Sequence, residues 1–320
     1  MPPSSSPLSA SYALALQAAR EAAGAQHYPA GTLYVVATPI GNLADISLRA
    51  LQVLQTVDVM ACEDTRHTRQ LLHSYGLDRP GLSLLAVHQH NEAEAAQALV
   101  QQLAQGLRVA YVSDAGTPGI SDPGARLVAA VQAAGLRVIP LPGASSVTTL
   151  LSASSLGDAG GTDAGGFVFM GFLPHKGAER ERAVQALAQE RRAVVLLEAP
   201  HRIESLARAL AALGPRRITV GRELTKQFEQ IDTVAAQDFS AWLQAAPERL
   251  RGEFALVLHP LPATQAADGQ GLRVLQLLLP ELPLKTAVRL AAEITGSPRN
   301  ALYEQALGLQ RAGEAHDAEG

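Results

Sequence analysis

The chain has 320 residues, 47% apolar and 18% charged, with a net charge of −4. This composition suits more than one globular domain and excludes a chain too polar to fold. No run of eighteen apolar residues offers a spanning helix, and the one cysteine, Cys62, excludes an intrachain disulfide framework or a cysteine-built metal site. A reducing, cytoplasmic setting is expected. His73, His88 and His90 lack further ligands at useful spacing, so no metal is expected. Charge is uneven: residues 175–226 hold nine Arg and two Lys against six Glu, a net of +5, which leaves −9 elsewhere. That asymmetry points to an anionic partner near the second half.

Residues 1–30 are Pro/Ser-rich, then Ala-rich, without a basic start or continuous apolar core, so no signal peptide is expected. They read as a dispensable, flexible N-terminal extension with a loose helix over 9–23. The β-branched and aromatic run 32–38 predicts a buried parallel strand, stopped by Pro39-Ile40-Gly41-Asn42-Leu43. Asp45 or Ser47 can cap a helix reaching Thr56. Strand 57–61 leads into Glu63-Asp64-Thr65-Arg66 and a helix over 67–75 closed by Gly76. Strand 82–87 leads into His88-Gln89-His90-Asn91-Glu92, with Asn91 capping an alanine-rich helix that ends before Gly106. Strand 107–112 is followed by Ser113-Asp114-Ala115-Gly116-Thr117-Pro118-Gly119-Ile120-Ser121-Asp122-Pro123-Gly124 and a helix over 125–134. Strand 136–141 leads to Pro142-Gly143-Ala144-Ser145-Ser146 and another helix.

This alternation predicts α/β architecture with a doubly wound parallel sheet. The strands' carboxyl ends then converge on one edge, where such sheets bind ligands. The loop after strand 107–112 is long for a βα turn. Its glycines permit close backbone approach and its prolines fix its shape.

Residues 157–166 read as a Gly-rich linker or surface loop. A second αβ unit follows, with strands at 167–172, 193–197, 217–220 and 254–258 and helices at 178–189 and 203–213. Residues 261–271 read as a linker. Helices at 272–279 and 284–294, and a third opened by Ser297-Pro298, have helix-turn-helix spacing. The domains are therefore an extension (1–30), two α/β subdomains (31–150 and 151–260), a linker (261–271) and a helical tail (272–320).

The runs 31–43, Glu-Asp-Thr-Arg at 63–66, 113–124 and Gly-Phe-Leu-Pro at 171–174 occur in order. Pro-His-Arg at 200–202, Arg-Glu-Leu-Thr-Lys at 222–226 and Arg-Gly-Glu at 251–253 follow. Together they resemble the ribosomal RNA small subunit methyltransferase I family, whose fold relatives are the tetrapyrrole methylases. The resemblance covers about residues 31–310. It implies S-adenosylmethionine as methyl donor, a donor cleft between two α/β subdomains, and 2′-O-methylation of a cytidine ribose in the decoding region of 16S rRNA. It also implies the small ribosomal subunit as partner, and a homodimer. Leu197 and Ala199 depart from the family's Tyr-Glu-Ser before Pro-His-Arg, as does Ser146 from its more common Ala.

By carry-over, Ala115, Gly116, Thr117 and Ile120 lie along the donor, with Asp114 beside them, and Ser145 and Ser146 meet it. Pro39, Glu198 and Lys226 are further donor-site candidates. The serines can equally be helix caps. A ribose hydroxyl is a poor nucleophile until its proton is shared. Candidates for that role at strand ends are Glu63, Asp64, His90 and Glu223, with Arg66 as a phosphate holder or polariser. The Glu63–Arg66 run can also be a plain helix start. Lys176, Arg180, Arg202, Arg222, Lys285 and Arg299 are the candidate RNA contacts. A tetrapyrrole methyltransferase and a non-catalytic RNA-binding module are the alternatives. The many shaped loops at one edge weigh against the latter.

Overall fold

The computed structural model describes residues 12–88, 91–121, 124–156, 166–261 and 263–317. The chain divides into two compact units. One comprises Met1–Leu150 with Gly221–Ile231, and the other Leu151–Val220 with Asp232–Gly320.

The first unit is built on five strands: β1 (Thr32–Val36), β2 (Val59–Cys62), β3 (Ser83–Ala86), β4 (Val109–Val112) and β5 (Arg137–Leu141). Their order is β3-β2-β4-β1-β5, with every neighbouring pair parallel. Alternate residues face opposite sides of a strand, and both sides here are apolar. Tyr34, Val36, Met60 and Cys62 join one cluster with helices α1 (Ala13–Ala23), α2 (Leu48–Thr56) and α3 (Thr65–Ser74). Leu33, Val59, Ala61 and Tyr111 join the other with α4 (Glu92–Ala104) and α5 (Ala125–Ala133). Helix α6 (Ser146–Ser152) follows β5.

The N-terminal segment is not the loose extension that its composition suggested. Leu16, Ala19 and Ala23 are buried in α1, which packs on α2, and Arg20 donates to Gln55 at 2.9 Å. Alanine on one face lets two helices come close, a use that reads like low complexity. Ser47, not Asp45, caps α2, its hydroxyl accepting from the Ala50 amide at 3.1 Å. Asn91 flanks α4 but does not cap it. Its side chain turns back to bind the His88 amide and the Ala86 carbonyl.

The second unit carries a mixed sheet. Its strands are β6 (Phe167–Gly171), β7 (Ala193–Glu198), β8 (Arg217–Arg222), β9 (Gln230–Ala235) and β10 (Phe254–Leu258), in the order β6-β7-β10-β8-β9. β6 and β7 are parallel, and β10 runs antiparallel to β7. Helices α7 (Gly177–Gln189), α8 (Ile203–Leu210) and α9 (Phe239–Gln244) cover one face. The expected linker at 261–271 is instead largely the start of α10 (Ala263–Leu278). With α11 (Leu284–Thr295) and α12 (Arg299–Asp317) it forms a three-helix tail around Leu275, Val288, Ala291 and Leu302. Apart from Gly166, the Gly-rich segment 157–166 lies outside the described residues, as do His90, Asp122 and Pro123.

Candidate active site

Strands β2 and β4 are neighbours in the first sheet. The connection leaving β2 runs to β3 at one edge, and that leaving β4 runs to β5 at the other. Diverging connections open a crevice at the strands' carboxyl ends. The two ends are tied together across it. The Asp64 amide donates to Asp114 Oδ1, and the Asp114 amide donates to Glu63 Oε1, each at 3.4 Å.

The loop after β4 is long because it folds back on both neighbours. Thr38 and Gly116 exchange two backbone hydrogen bonds of 2.9 and 3.0 Å, an isolated antiparallel bridge beyond the end of β1. The Thr38 hydroxyl donates to the Ser113 carbonyl at 3.1 Å, and the Ser113 hydroxyl donates to the Gly116 carbonyl at 3.0 Å. The Thr117 hydroxyl reaches the Ala144 carbonyl in the loop after β5, at 3.0 Å. Ser113, Pro39 and Gly116 are thereby buried, while Ala115 and Ile120 stay exposed and Asp114, Ser145 and Ser146 are half-buried.

The far end of this loop is anchored by Glu92, which sequence reasoning did not single out. The residue is 8% exposed, and its carboxylate accepts from the amides of Gly124 at 3.0 Å and Arg126 at 3.2 Å. It therefore sits as an anion at the first turn of α5. Gly124 has φ 138°, and a Cβ there would stand 2.8 Å from the Tyr111 hydroxyl oxygen. Only glycine fits against that ring.

A further wall comes from far along the chain. The Gly221–Ile231 segment belongs to the first unit. It lies on Gly41, where a Cβ would overlap the Lys226 side chain and stand 2.9 Å from the Leu224 carbonyl oxygen. Glu223 and Thr225 have φ values of 51° and 65°, costly for residues with a Cβ and worst for a β-branched one. Lys226 Nζ pairs with Glu223 Oε1 at 2.9 Å, and buried Arg222 donates to the Phe228 carbonyl at 3.1 Å.

Asp64 caps α3. It accepts from the Arg66 amide at 2.7 Å and pairs with the Arg66 guanidinium at 2.7 Å. The Arg66 side chain, then its amide, hold the Asp64 carboxyl well below the usual range. Such a carboxylate is a weak proton acceptor at neutral pH. Arg66 itself points outward, its side chain 89% exposed.

Glu198 lies in the second unit, wholly buried between Arg180 at 3.3 Å and Arg202 at 2.9 Å. Arg180 also donates to the Pro174 carbonyl and the Ser205 hydroxyl, and Arg202 to the Leu173 carbonyl. The Gly-Phe-Leu-Pro and Pro-His-Arg motifs thus form one buried network joining the turns after β6 and β7. Arg180 and Arg222, expected to contact RNA, are instead buried, their guanidiniums directed at protein atoms, and Arg202 is largely so. Their side chains form the fold's interior polar bonds. Lys176, Lys285 and Arg299 are exposed.

The converging loops of the first unit have a distinct chemistry. The runs 113–124 and 142–146 contain no Lys or Arg, while Glu63, Asp64 and Asp114 stand at the ends of β2 and β4. That set suits a cationic ligand without phosphate, bound through backbone groups, hydroxyls and carboxylates. Among the described residues no group of three His, Cys, Asp or Glu is placed to hold a metal.

A family model for Tetrapyrrole (Corrin/Porphyrin) Methylases matches residues 32–239, and one for the RsmI C-terminal HTH domain matches 265–310. Ribosomal RNA small subunit methyltransferase I of Pseudomonas aeruginosa is 46% identical over 291 residues, covering 89% of this chain and 99% of its own. The protein of the same name from Escherichia coli O157:H7 is 44% identical, over 88% of this chain and 96% of its own. A solved cobalt precorrin-4 methyltransferase superimposes with a TM-score of 0.52 at 16% identity, over 71% of this chain and 94% of that one.

Proposed function

Because the chain belongs to the ribosomal RNA small subunit methyltransferase I family, we propose that it moves a methyl group from S-adenosylmethionine to a cytidine 2′-hydroxyl in 16S rRNA. The rRNA methyltransferase activity follows from the family. The donor site, the nucleotide and the oxygen are the reading advanced here. The observation that carries it is the set of loops gathered at the carboxyl ends of β1, β2, β4 and β5, acidic and free of Lys and Arg from 113 to 124 and 142 to 146.

S-adenosylmethionine supplies a sulfonium-activated methyl group. In this reading the backbone from Ala115 to Thr117, with Ile120, Ser145 and Ser146, holds the donor. Pro39 and the Glu223–Lys226 turn bound it on the other side, and Asp114 and Glu63 answer its positive charge. Much of the rate then comes from holding oxygen and methyl carbon in line. The hydroxyl proton goes to Glu63, since Asp64 is spent on capping α3 and on Arg66. Lys176, Lys285 and Arg299 meet RNA phosphates from outside. The enzyme works in the cytoplasm as a homodimer. Among the described residues no helix is long and apolar enough to cross a membrane.

The test is incubation with methyl-labelled donor and small ribosomal subunits lacking the modification, with precorrin in a parallel tube. Label is expected in 16S rRNA, in an alkali-resistant dinucleotide, because a 2′-O-methyl blocks the attacking hydroxyl. Label in a base overturns the ribose assignment, and label in precorrin alone overturns the rRNA substrate.

A further inference from the structure

Helix α3 starts at the candidate active site and leads away from it. Its cap, Asp64, is bonded to Asp114 across the crevice. From Thr65 to Leu77 the sequence has two arginines, two histidines and no carboxylate, in a chain of net charge −4. Helical spacing decides where these groups lie. Arg66, Arg69, Gln70 and His73 stand at i, i+3, i+4 and i+7, hence on one face, and all four are exposed while Thr68 and Leu72 are buried. At about 1.5 Å per residue this row is about 10 Å long, enough to meet more than one phosphate of a nucleic-acid strand.

The row ends at a cavity of ≈ 540 Å³. It is lined by buried Leu77 and half-buried Leu84, by exposed Arg69 and His73, and by half-buried Arg79. One carboxylate lines it, Asp78, which lies 3.1 Å from His73 Nδ1. Arg79 donates to the Leu54 carbonyl at 3.1 Å, so it is fixed in place. No carboxylate pairs with Arg69 among the described residues. Leucines and two arginines lining one space of the size small ligands occupy suit an unstacked base with its phosphate.

We propose that this face of α3, with the cavity at its end, binds the backbone of single-stranded RNA flanking the methylated nucleotide. The proposal rests on the rRNA reading above and adds where the substrate strand runs. Arg66 and Arg69 take successive phosphates, and a neighbouring base enters the cavity beside Arg79.

The test compares wild type with Arg69→Gln and Arg69→Lys in binding small ribosomal subunits over a range of salt. Loss of one phosphate contact on a single strand flattens the slope of log affinity against log salt by about 0.7. Arg69→Gln is expected to show that change and about a five- to tenfold weaker affinity, with Arg69→Lys restoring most of it. S-adenosylmethionine affinity serves as the control for folding and stays at the wild-type value. A photocrosslinker at Gln70 is expected to label 16S rRNA. An unchanged slope and affinity in Arg69→Gln, while wild type still methylates rRNA, overturns the proposal and leaves the function standing. So does a crosslink to ribosomal protein alone. Absence of rRNA methylation by wild type overturns both.

Discussion

At the scale of single residues, the informative groups are buried ones with an unexpected partner. Glu92 holds the two amides that begin α5, and it fixes the loop expected to carry the donor. Removing it leaves buried donors unpaired, which costs about 1–3 kcal/mol. Glu92→Ala is therefore expected to lower the urea midpoint at unchanged m-value and to weaken donor binding, while Glu92→Gln, which keeps an acceptor, does less of both. His259 is a second case. It is 6% exposed, shares a 2.7 Å hydrogen bond with Thr219, and is pushed down to about 4 by burial and by the charges of Arg217 and Arg216. An unfolded histidine titrates near 6.5. Between about pH 6.5 and pH 4 the unfolded chain therefore binds more protons, so stability falls as pH drops through that window and is flat above it. Urea unfolding at pH 7.5 and pH 5 checks this. His259→Gln should flatten the difference, and an equal loss in both proteins would refute it. Little of this was readable in the sequence. The Glu63–Arg66 run announced a strand end of consequence, but not that Asp64 would be a cap bound to Arg66. Glu92 drew no notice, because its partners lie 32 and 34 residues away.

At the scale of elements, the chain was most legible where burial is two-sided. The runs that became β1, β4 and β10 are continuously apolar because helices or neighbours cover both faces, and no polar periodicity obscures them. β9 escaped notice because Gln230–Ala235 is a half-buried edge strand of mixed polarity. The start of α10 was read as part of a linker over 261–271, yet Gly271 is buried inside that helix. The N-terminal helix misled in the same direction. Deleting residues 1–24 removes buried Leu16, Ala19 and Ala23 and uncovers part of α2. The expected cost is about 2–4 kcal/mol, visible as a lower thermal midpoint. An unchanged midpoint would restore the view of this segment as dispensable.

At the scale of the whole molecule, each unit has its own apolar core and its own natural probe. Cys62 is the one cysteine and lies buried in the first unit, where burial also pushes its thiol up. Trp242 is the one tryptophan and packs on the core of the second. The Arg180–Glu198–Arg202 network belongs wholly to the second unit. Glu198→Gln leaves two buried guanidiniums short of a counter-charge, at a cost of about 3 kcal/mol. The temperature at which Trp242 fluorescence changes is expected to fall further than that at which Cys62 becomes reactive. Equal shifts would mean the units melt as one cooperative body. The composition and motifs foretold two α/β portions. They could not foretell that Gly221–Ile231 belongs with the first, since nothing local marks a segment that packs on a turn some 180 residues earlier, at Gly41.

That excursion has a consequence for the time at which the protein becomes an enzyme. The ribosome finishes the first stretch of this unit at Leu150 but does not add Ile231, the end of its second stretch, until 81 residues later (231 − 150). At about 5–20 residues per second this is a delay of about 4–16 s. During it the β1 loop waits for the strained Glu223–Lys226 turn that will lie on Gly41. A nascent chain can thus bury its first core early while the wall on Gly41 stays unfinished until most of the second core has been made.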